Sequence, residues 1–280
     1  SLNNNITRSR AYNNTQSGFC FMDNTRETTI TENIAMENGL DGFRLNSTQD
    51  MSFESNRAVN NTGNGLTVNN VFDPGGSNIP FTSDVYSDNG GHGAHTQNST
   101  FLEFIGCNFT YNAQDGARIY NTTVTFKATD TSGPVISEHN TGSGLNLTDS
   151  NNFNILSSTP TGGEDIIFRY NNQYGVYIYS SSGGTMTGVS SNYITAHNNP
   201  KTGFYLDNPT ASDTSIQMDR LSASNNSENG IYIRNSNKNS LESSNSHDNT
   251  WRGVRIYDSD NNNITSTESY LNGEDGFFIT

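Results

Sequence analysis

The chain has 280 residues, with 14 Lys and Arg against 28 Asp and Glu and a net charge of −14. That balance argues against nucleic acid and anionic membrane as partners, because both carry the same sign. Only 30% of the residues are hydrophobic, with 26 Gly and many Asn, Ser and Thr; such poverty marks disorder in a chain without internal order.

A repeat supplies the order. Eleven times an Asn is followed four residues later by a Gly that opens a short apolar-x-apolar strand. The asparagines are Asn14, Asn38, Asn61, Asn89, Asn112, Asn140, Asn171, Asn199, Asn226, Asn249 and Asn272. Their glycines, from Gly18 to Gly276, lie 24, 23, 28, 23, 28, 31, 28, 27, 23 and 23 residues apart. A near-constant period with surplus residues in some units is the mark of a solenoid. Several short strands per unit, without helical periodicity, predict about eleven coils of a right-handed parallel β-helix spanning 1–280. The Leu-x-x-Leu-x-Leu frame of a leucine-rich repeat is absent. Each coil buries a thin core against its neighbours, so a low hydrophobic content suffices. Where a coil turns a corner one residue needs positive φ, which Asn tolerates, and stacked amides can bond one another about 4.8 Å apart. The eleven asparagines therefore read as scaffold.

The first three coils set the pattern. Ile6, Ile30 and Phe53 fall twelve residues before their glycines, small Ala11, Ala35 and Ala58 fall seven before, and Phe43/Leu45 and Leu66/Val68 follow the Gly as inward pairs. Outward positions then form a strip across the coils. Two residues after the Gly it reads Cys20, Arg44, Thr67, His95, Arg118, Asn146, Tyr177, Tyr205, Tyr232, Arg255, Phe278. Cys20 and Cys107 stand about four coils apart, too far for a disulfide, which needs Cα atoms within about 7 Å.

Coils four and five carry the chemistry. His92 and His95 flank Gly93, and Asp115 and Arg118 flank Gly116 at the same offsets. His92 should stack beside Asp115 and His95 beside Arg118. A carboxylate beside a His fixes its tautomer and raises its basicity, as a general base requires. The catalytic candidates are His92, His95, Asp115 and Arg118. His95 would be the base, Arg118 would hold a substrate carboxylate, and Tyr120 would serve as acid. Asp41 and Asp115 share a column but lie about 14 Å apart by strand spacing, beyond the separation of paired glycosidase carboxyls. His139, His197 and His247 sit by the Asn turn and read as structural.

Coils six to eight bring tyrosine and insertions. Asn146, Tyr177, Tyr179 and Tyr205 line the strip, with Arg44, Tyr120, Tyr232, Arg234 and Arg255 as further substrate-binding candidates. Surplus residues at 69–81, 121–134, 148–165 around Pro160–Gly163, 180–190 and 207–213 all follow the same strand, predicting one wall beside the strip. Arg forks bind carboxylates and Tyr faces pack on sugar rings, so the partner expected is an extended anionic polysaccharide.

The last three coils end on Phe277-Phe278-Ile279-Thr280, a core strand without a cap, so the chain reads as a domain from a longer protein. Asp258-Ser259-Asp260-Asn261-Asn262 has the look of a hard-cation loop, yet lacks the Gly and terminal Glu of an EF-hand. It reads as an Asn-rich turn; calcium has no support, and no cofactor or metal is expected. Asn-x-Ser/Thr sequons, such as those at Asn13, Asn98, Asn121 and Asn263, point to an extracellular or cell-surface location. No transmembrane stretch or signal peptide is read, and oligomeric state is not legible.

The motif Asn-x-x-x-Gly-φ-x-φ, as in Asn226-Ser227-Glu228-Asn229-Gly230-Ile231-Tyr232-Ile233, resembles the repeat of pectate-lyase-like right-handed parallel β-helix proteins. That resemblance covers essentially the whole chain and implies the fold, within a group that includes lyases, hydrolases, epimerases and non-catalytic surface proteins. The Asp-Pro-His of alginate epimerases and the Asp-Asp pair of polygalacturonases are absent. The Asn/Ser/Thr-rich, Lys-poor coils resemble surface β-helix proteins of methanogenic archaea, and likeness to disaggregatase among them implies a depolymerase of the methanochondroitin wall. A uronate-polysaccharide depolymerase, lyase or hydrolase, is the function expected; a non-catalytic adhesion domain is the alternative.

Overall fold

The computed structural model describes residues 3–23, 25–157, 165–189, 192–209 and 214–280. Each coil contributes three short strands in fixed order, and the strands of successive coils stack into three parallel sheets of eleven strands. The first sheet runs from Asn5–Thr7 to Asn263–Thr265, the second from Arg10–Tyr12 to Glu268–Tyr270, and the third from Phe19–Met22 to Phe277–Ile279. No helix occurs among the described residues, and none is long and apolar enough to cross a membrane. The eleven coils are those read from the sequence.

Alternation along each strand builds the core. In the third sheet Phe43, Leu45, Leu66 and Val68 point inward and are fully buried. The first sheet stacks a phenylalanine ladder, Phe53 on Phe81 at 4.9 Å, Phe81 on Phe104 at 5.0 Å and Phe104 on Phe126 at 5.1 Å between ring centroids. Small residues of the second sheet, Ala35 and Ala58 among them, leave room for these rings; from coil four Tyr86 and Phe109 fill that column instead.

Hydrogen-bond ladders pin the corners. Nδ2 of each ladder asparagine donates to Oδ1 of the next, without a break from Asn14 to Asn272. Each buried amide also donates to a backbone carbonyl of the preceding coil, as Asn140 does to Phe109 at 2.9 Å. Positive φ, however, falls one residue earlier, on Glu37, Asn60, Asp88, Tyr111, His139 and their equivalents. The asparagine column therefore owes its identity to buried amide pairing rather than to the left-handed turn. The glycines have the complementary cause. A Cβ on Gly93 would stand 2.5 Å from the Gly116 carbonyl and 2.8 Å from Asn112 Nδ2. Each Gly thus leaves space for the ladder amide of the next coil, which is why Asn and Gly recur together.

A third ladder, of hydroxyls, closes the corner between the third and first sheets. Backbone N–H groups of Ser99, Thr122 and Ser150 donate to the hydroxyls of Thr122, Ser150 and Ser181 on the following coils.

The insertions do not form one wall. Only 70–78 and 208–216 lie between the third sheet and the first. The surplus in coils six to eight follows the first-sheet strands Val124–Lys127, Asn154–Leu156 and Thr185–Thr187, at the corner between the first and second sheets. Spacing from the glycine does not reveal those strands, although Phe126, Ile155 and Met186 continue the phenylalanine column. Pro160–Gly163 lies outside the described residues.

Candidate functional site

The outer face of the third sheet is in register throughout. Arg44 aligns with Thr67, Thr67 with His95, His95 with Arg118, and Arg118 with Asn146. Adjacent strands lie about 4.8 Å apart, so His95 and Arg118 are neighbours as the offsets require. Among the described residues Arg44 and Arg118 form no ion pair with a carboxylate, and Arg44 Nε is buried without a hydrogen-bond partner. In a protein of net charge −14, unneutralised guanidinium groups on one face are available to an anion.

From coil two to coil five the column one residue before the glycine has a different duty. Backbone N–H groups of Asn64, His92, Asp115 and Ser143 donate respectively to Asp41 Oδ1, Asn64 Oδ1, His92 Nδ1 and Asp115 Oδ1, at 2.7–3.1 Å. Each side chain caps the coil that follows it. His92 Nδ1 carries a lone pair toward the Asp115 N–H, which leaves the ring proton on Nε2. The Asp115 carboxylate is taken up by the Ser143 N–H and by Asn146 Nδ2 at 3.2 Å. His92 and Asp115 are close, Nδ1 to Oδ2 3.4 Å, with side chains 7% and 12% exposed.

This corrects the expected electrostatics. Burial, helped by His95 and Arg118, pushes His92 down to about 3. The neighbouring carboxylate does not raise it, because burial also pushes Asp115 up and its oxygens serve other donors. His95 is half-buried and likewise lowered, chiefly by burial and then by Arg118, with Asp41 opposing. Both rings are therefore neutral at neutral pH, their centroids 5.3 Å apart. A neutral imidazole can accept a proton; His95 is the one whose nitrogens are not committed to the scaffold by any hydrogen bond above.

Coils seven to nine hold a tyrosine block. Tyr177 packs on Tyr205 at 5.5 Å and Tyr205 on Tyr232 at 5.0 Å, while Tyr177 meets Tyr179 at 6.2 Å. Tyr174, which the sequence places in the capping column, joins it at 5.2 Å from Tyr177 and 5.1 Å from Tyr205. The rings cover one another, and Tyr205 is only 8% exposed. Faces expected to pack on sugar are thus largely spent, leaving edges and hydroxyls. Burial pushes Tyr177 up to about 12 and raises Tyr205 and Tyr232 as well, so the hydroxyls stay protonated donors.

In the neighbouring column Tyr120 lies between Gln97 and Thr148, and Arg234 aligns with Asp207 and Tyr257. Arg234 is neutralised by Asp207, 3.8 Å away, which also accepts from Tyr205 Oη at 3.2 Å and Asn235 Nδ2 at 2.9 Å. Arg255 is different. Its guanidinium lies 4.5 Å over the Tyr232 ring and 5.4 Å from Tyr257, with Nε buried and unpartnered and, among the described residues, no carboxylate in ion-pair contact. Among the described residues no cluster of three His, Cys, Asp or Glu side chains could hold a metal. In the 258–262 turn, Ser259 Oγ and Asn262 Oδ1 accept from the N–H groups of Ser236 and Asn239, so these side chains serve the ladders. Both cysteines are free.

The profile of the right handed beta helix region matches residues 1–103 and 158–280. The chain belongs to the right-handed β-helix family. Solved structures similar to it include the A-module of mannuronan C-5 epimerase AlgE6 from Azotobacter vinelandii, at 18% identity and TM-score 0.45, covering 96% of this chain and 58% of the module. Another is the periplasmic alginate epimerase AlgG, at 11% identity and TM-score 0.45, covering 88% of this chain and 76% of that one. The surface protein and adhesin PfbA of Streptococcus pneumoniae shares 12% identity at TM-score 0.32, covering 91% and 67%. The chain thus spans less than two thirds of the AlgE6 module. No match was found among curated proteins. Neither the profile nor these structures carries the resemblance to disaggregatase further.

Proposed function

We propose that this protein binds an anionic, uronate-containing polysaccharide along the outer face of the third sheet and cleaves it by elimination at His95 and Arg118. The observation that carries the reading is the register of His95 with Arg118, a neutral imidazole beside a guanidinium without an ion-pair partner. Arg118 pairs with the uronate carboxylate and makes the C5 proton more acidic. His95 takes that proton. The electron pair left on C5 forms the C4–C5 double bond as the C4–O4 bond breaks, and Tyr120, on the same strand as Arg118, gives its proton to the departing O4. His92 and Asp115 hold the coils in place beneath these groups. Hydrolysis by two carboxyls has less support, because Asp115 is committed to two donors. An extracellular or cell-surface location fits such a substrate and the exposed sequons.

Incubation with uronate polysaccharides, following ultraviolet absorbance of unsaturated product alongside reducing ends, tests the proposal. Both signals should rise together, and the acid limb of kcat/KM should lie below pH 6.5, because the His95 pKa is lowered from that value. Reducing ends without absorbance would replace elimination by hydrolysis. The capping duty of His92 and Asp115 favours a second reading, in which the face binds glycan without cleaving it; binding with neither signal would establish that one.

A further inference from the structure

We propose that the face bears two separate anion sites, one at Arg118 and one at Arg255, which a single polymer chain must bridge to bind tightly. This rests on the reading of the face as a uronate site and adds its internal division. Arg118 lies on the fifth strand of the third sheet and Arg255 on the tenth, five strand spacings or about 24 Å apart. Among the described residues both guanidinium groups lack a carboxylate partner, as does Arg44, three strands before Arg118, which extends the first site. Between them the same column holds Asn146, Tyr177, Tyr205 and Tyr232 and no cation. The one arginine nearby, Arg234, is neutralised by Asp207. Beside that column Lys201 lies 4.9 Å over the Tyr174 ring; the stretch itself offers hydroxyl donors and the acidic Asp207, which suit the neutral hydroxyls of a sugar chain better than its carboxylates.

The Arg255 site is built to hold an anion without a protein counter-charge. Tyr232 packs under the guanidinium with Tyr257 beside it; Nε is buried, so a bidentate carboxylate would meet the two terminal nitrogens. Its neighbour Arg252 shows the contrast: it sits over Phe278 but is consumed by Glu274 at 2.9 Å and Asp275 at 3.2 Å. A short oligomer can occupy one site at a time. A chain long enough to reach both gains the second contact intramolecularly, which raises affinity on the order of 10²-fold without any new type of contact.

Isothermal titration with oligouronates of defined, increasing length tests this, using His95→Ala protein so that ligand is not turned over. Affinity should step upward at the length that spans the two arginines. In the added presence of Arg255→Gln the step should vanish and short oligomers should titrate to one site per protein instead of two, with the remaining site's affinity unchanged, and Arg255→Lys should restore part of the step; thermal unfolding confirms that both fold alike. A smooth rise with length in both proteins, or equal weakening of short and long oligomers by Arg255→Gln, would overturn the division while leaving the uronate reading standing. Failure of every length to bind would remove that reading and this inference with it.

Discussion

Asp84 occupies a position at which coils two and three carry Asn33 and Asn56, in a short second amide ladder. Oδ1 of Asp84 accepts from the Asn56 N–H at 2.6 Å and from Asn56 Nδ2 at 3.1 Å, and Oδ2 accepts from Tyr86 Oη at 3.0 Å. The carboxyl is fully buried, and burial pushes it from 3.8 up to about 7, with Glu54 adding to the rise and the three donors opposing it. The folded value lies above the unfolded one, so the native state keeps a proton that the unfolded chain has released. Stability is then greatest below about pH 4, falls as pH rises toward 7, and is flat beyond. The gap is worth on the order of 4 kcal/mol at full deprotonation. Asp84→Asn mimics the protonated acid: Oδ1 accepts as before, and Nδ2 can donate to Tyr86 Oη. Its stability should carry no such slope. Guanidinium unfolding followed by circular dichroism at several pH values should show the two proteins alike near pH 4 and the variant more stable near pH 8. A variant equal to or weaker than the parent at both ends would refute the reasoning.

Three further outcomes are expected. Asn140→Ala strips the ladder of donors to Asn171 and Phe109 and of the acceptor for Asn112; leaving buried groups unpaired should cost about 1–3 kcal/mol in chemical unfolding. Tyr177→Ala with Tyr205→Ala should lower the thermal midpoint as well as weaken glycan binding, because these rings stack on each other; an unchanged midpoint would show that the block contributes no stability. His95→Ala and Arg118→Gln should each lower turnover about 10²–10⁴-fold with the fold intact by circular dichroism, and full activity in both would move the chemistry off this pair.

The fold was legible because a solenoid writes its contacts at a fixed interval. Gly93 and Asn112 belong to different coils, yet their fit recurs as an Asn and a Gly four residues apart in every unit, and the apolar pairs alternate beside them. The cause given to the asparagines was not legible, since positive φ and buried amide pairing fall on adjacent residues and only coordinates separate His139 from Asn140. The hydroxyl ladder left a signal that went unread: Thr48, Ser99, Thr122, Ser150, Ser181, Ser236 and Ser259 all stand six residues after a repeat glycine. Insertions were misplaced because they were counted from the glycine alone. Val124 and Phe126 begin a strand soon after Tyr120, and noticing that alternation would have moved the surplus to the next corner. At the site, register was sound, whereas the direction of the His92 shift depended on which atoms its neighbours already used.

That last point separates groups of similar chemistry on one face. In coils two to five the side chain one residue before the glycine looks out from a corner where the following coil's N–H needs an acceptor, so His92 and Asp115 are drawn into backbone capping. Side chains two residues after the glycine stand on a strand whose N–H and C=O groups are already paired by the sheet. Nothing in the scaffold requires a partner from them. A histidine or arginine at that position is therefore free to meet a ligand, and Arg44, His95, Arg118 and Arg255 all occupy it. On this solenoid, the column a residue occupies decides more of its availability for chemistry than its type does.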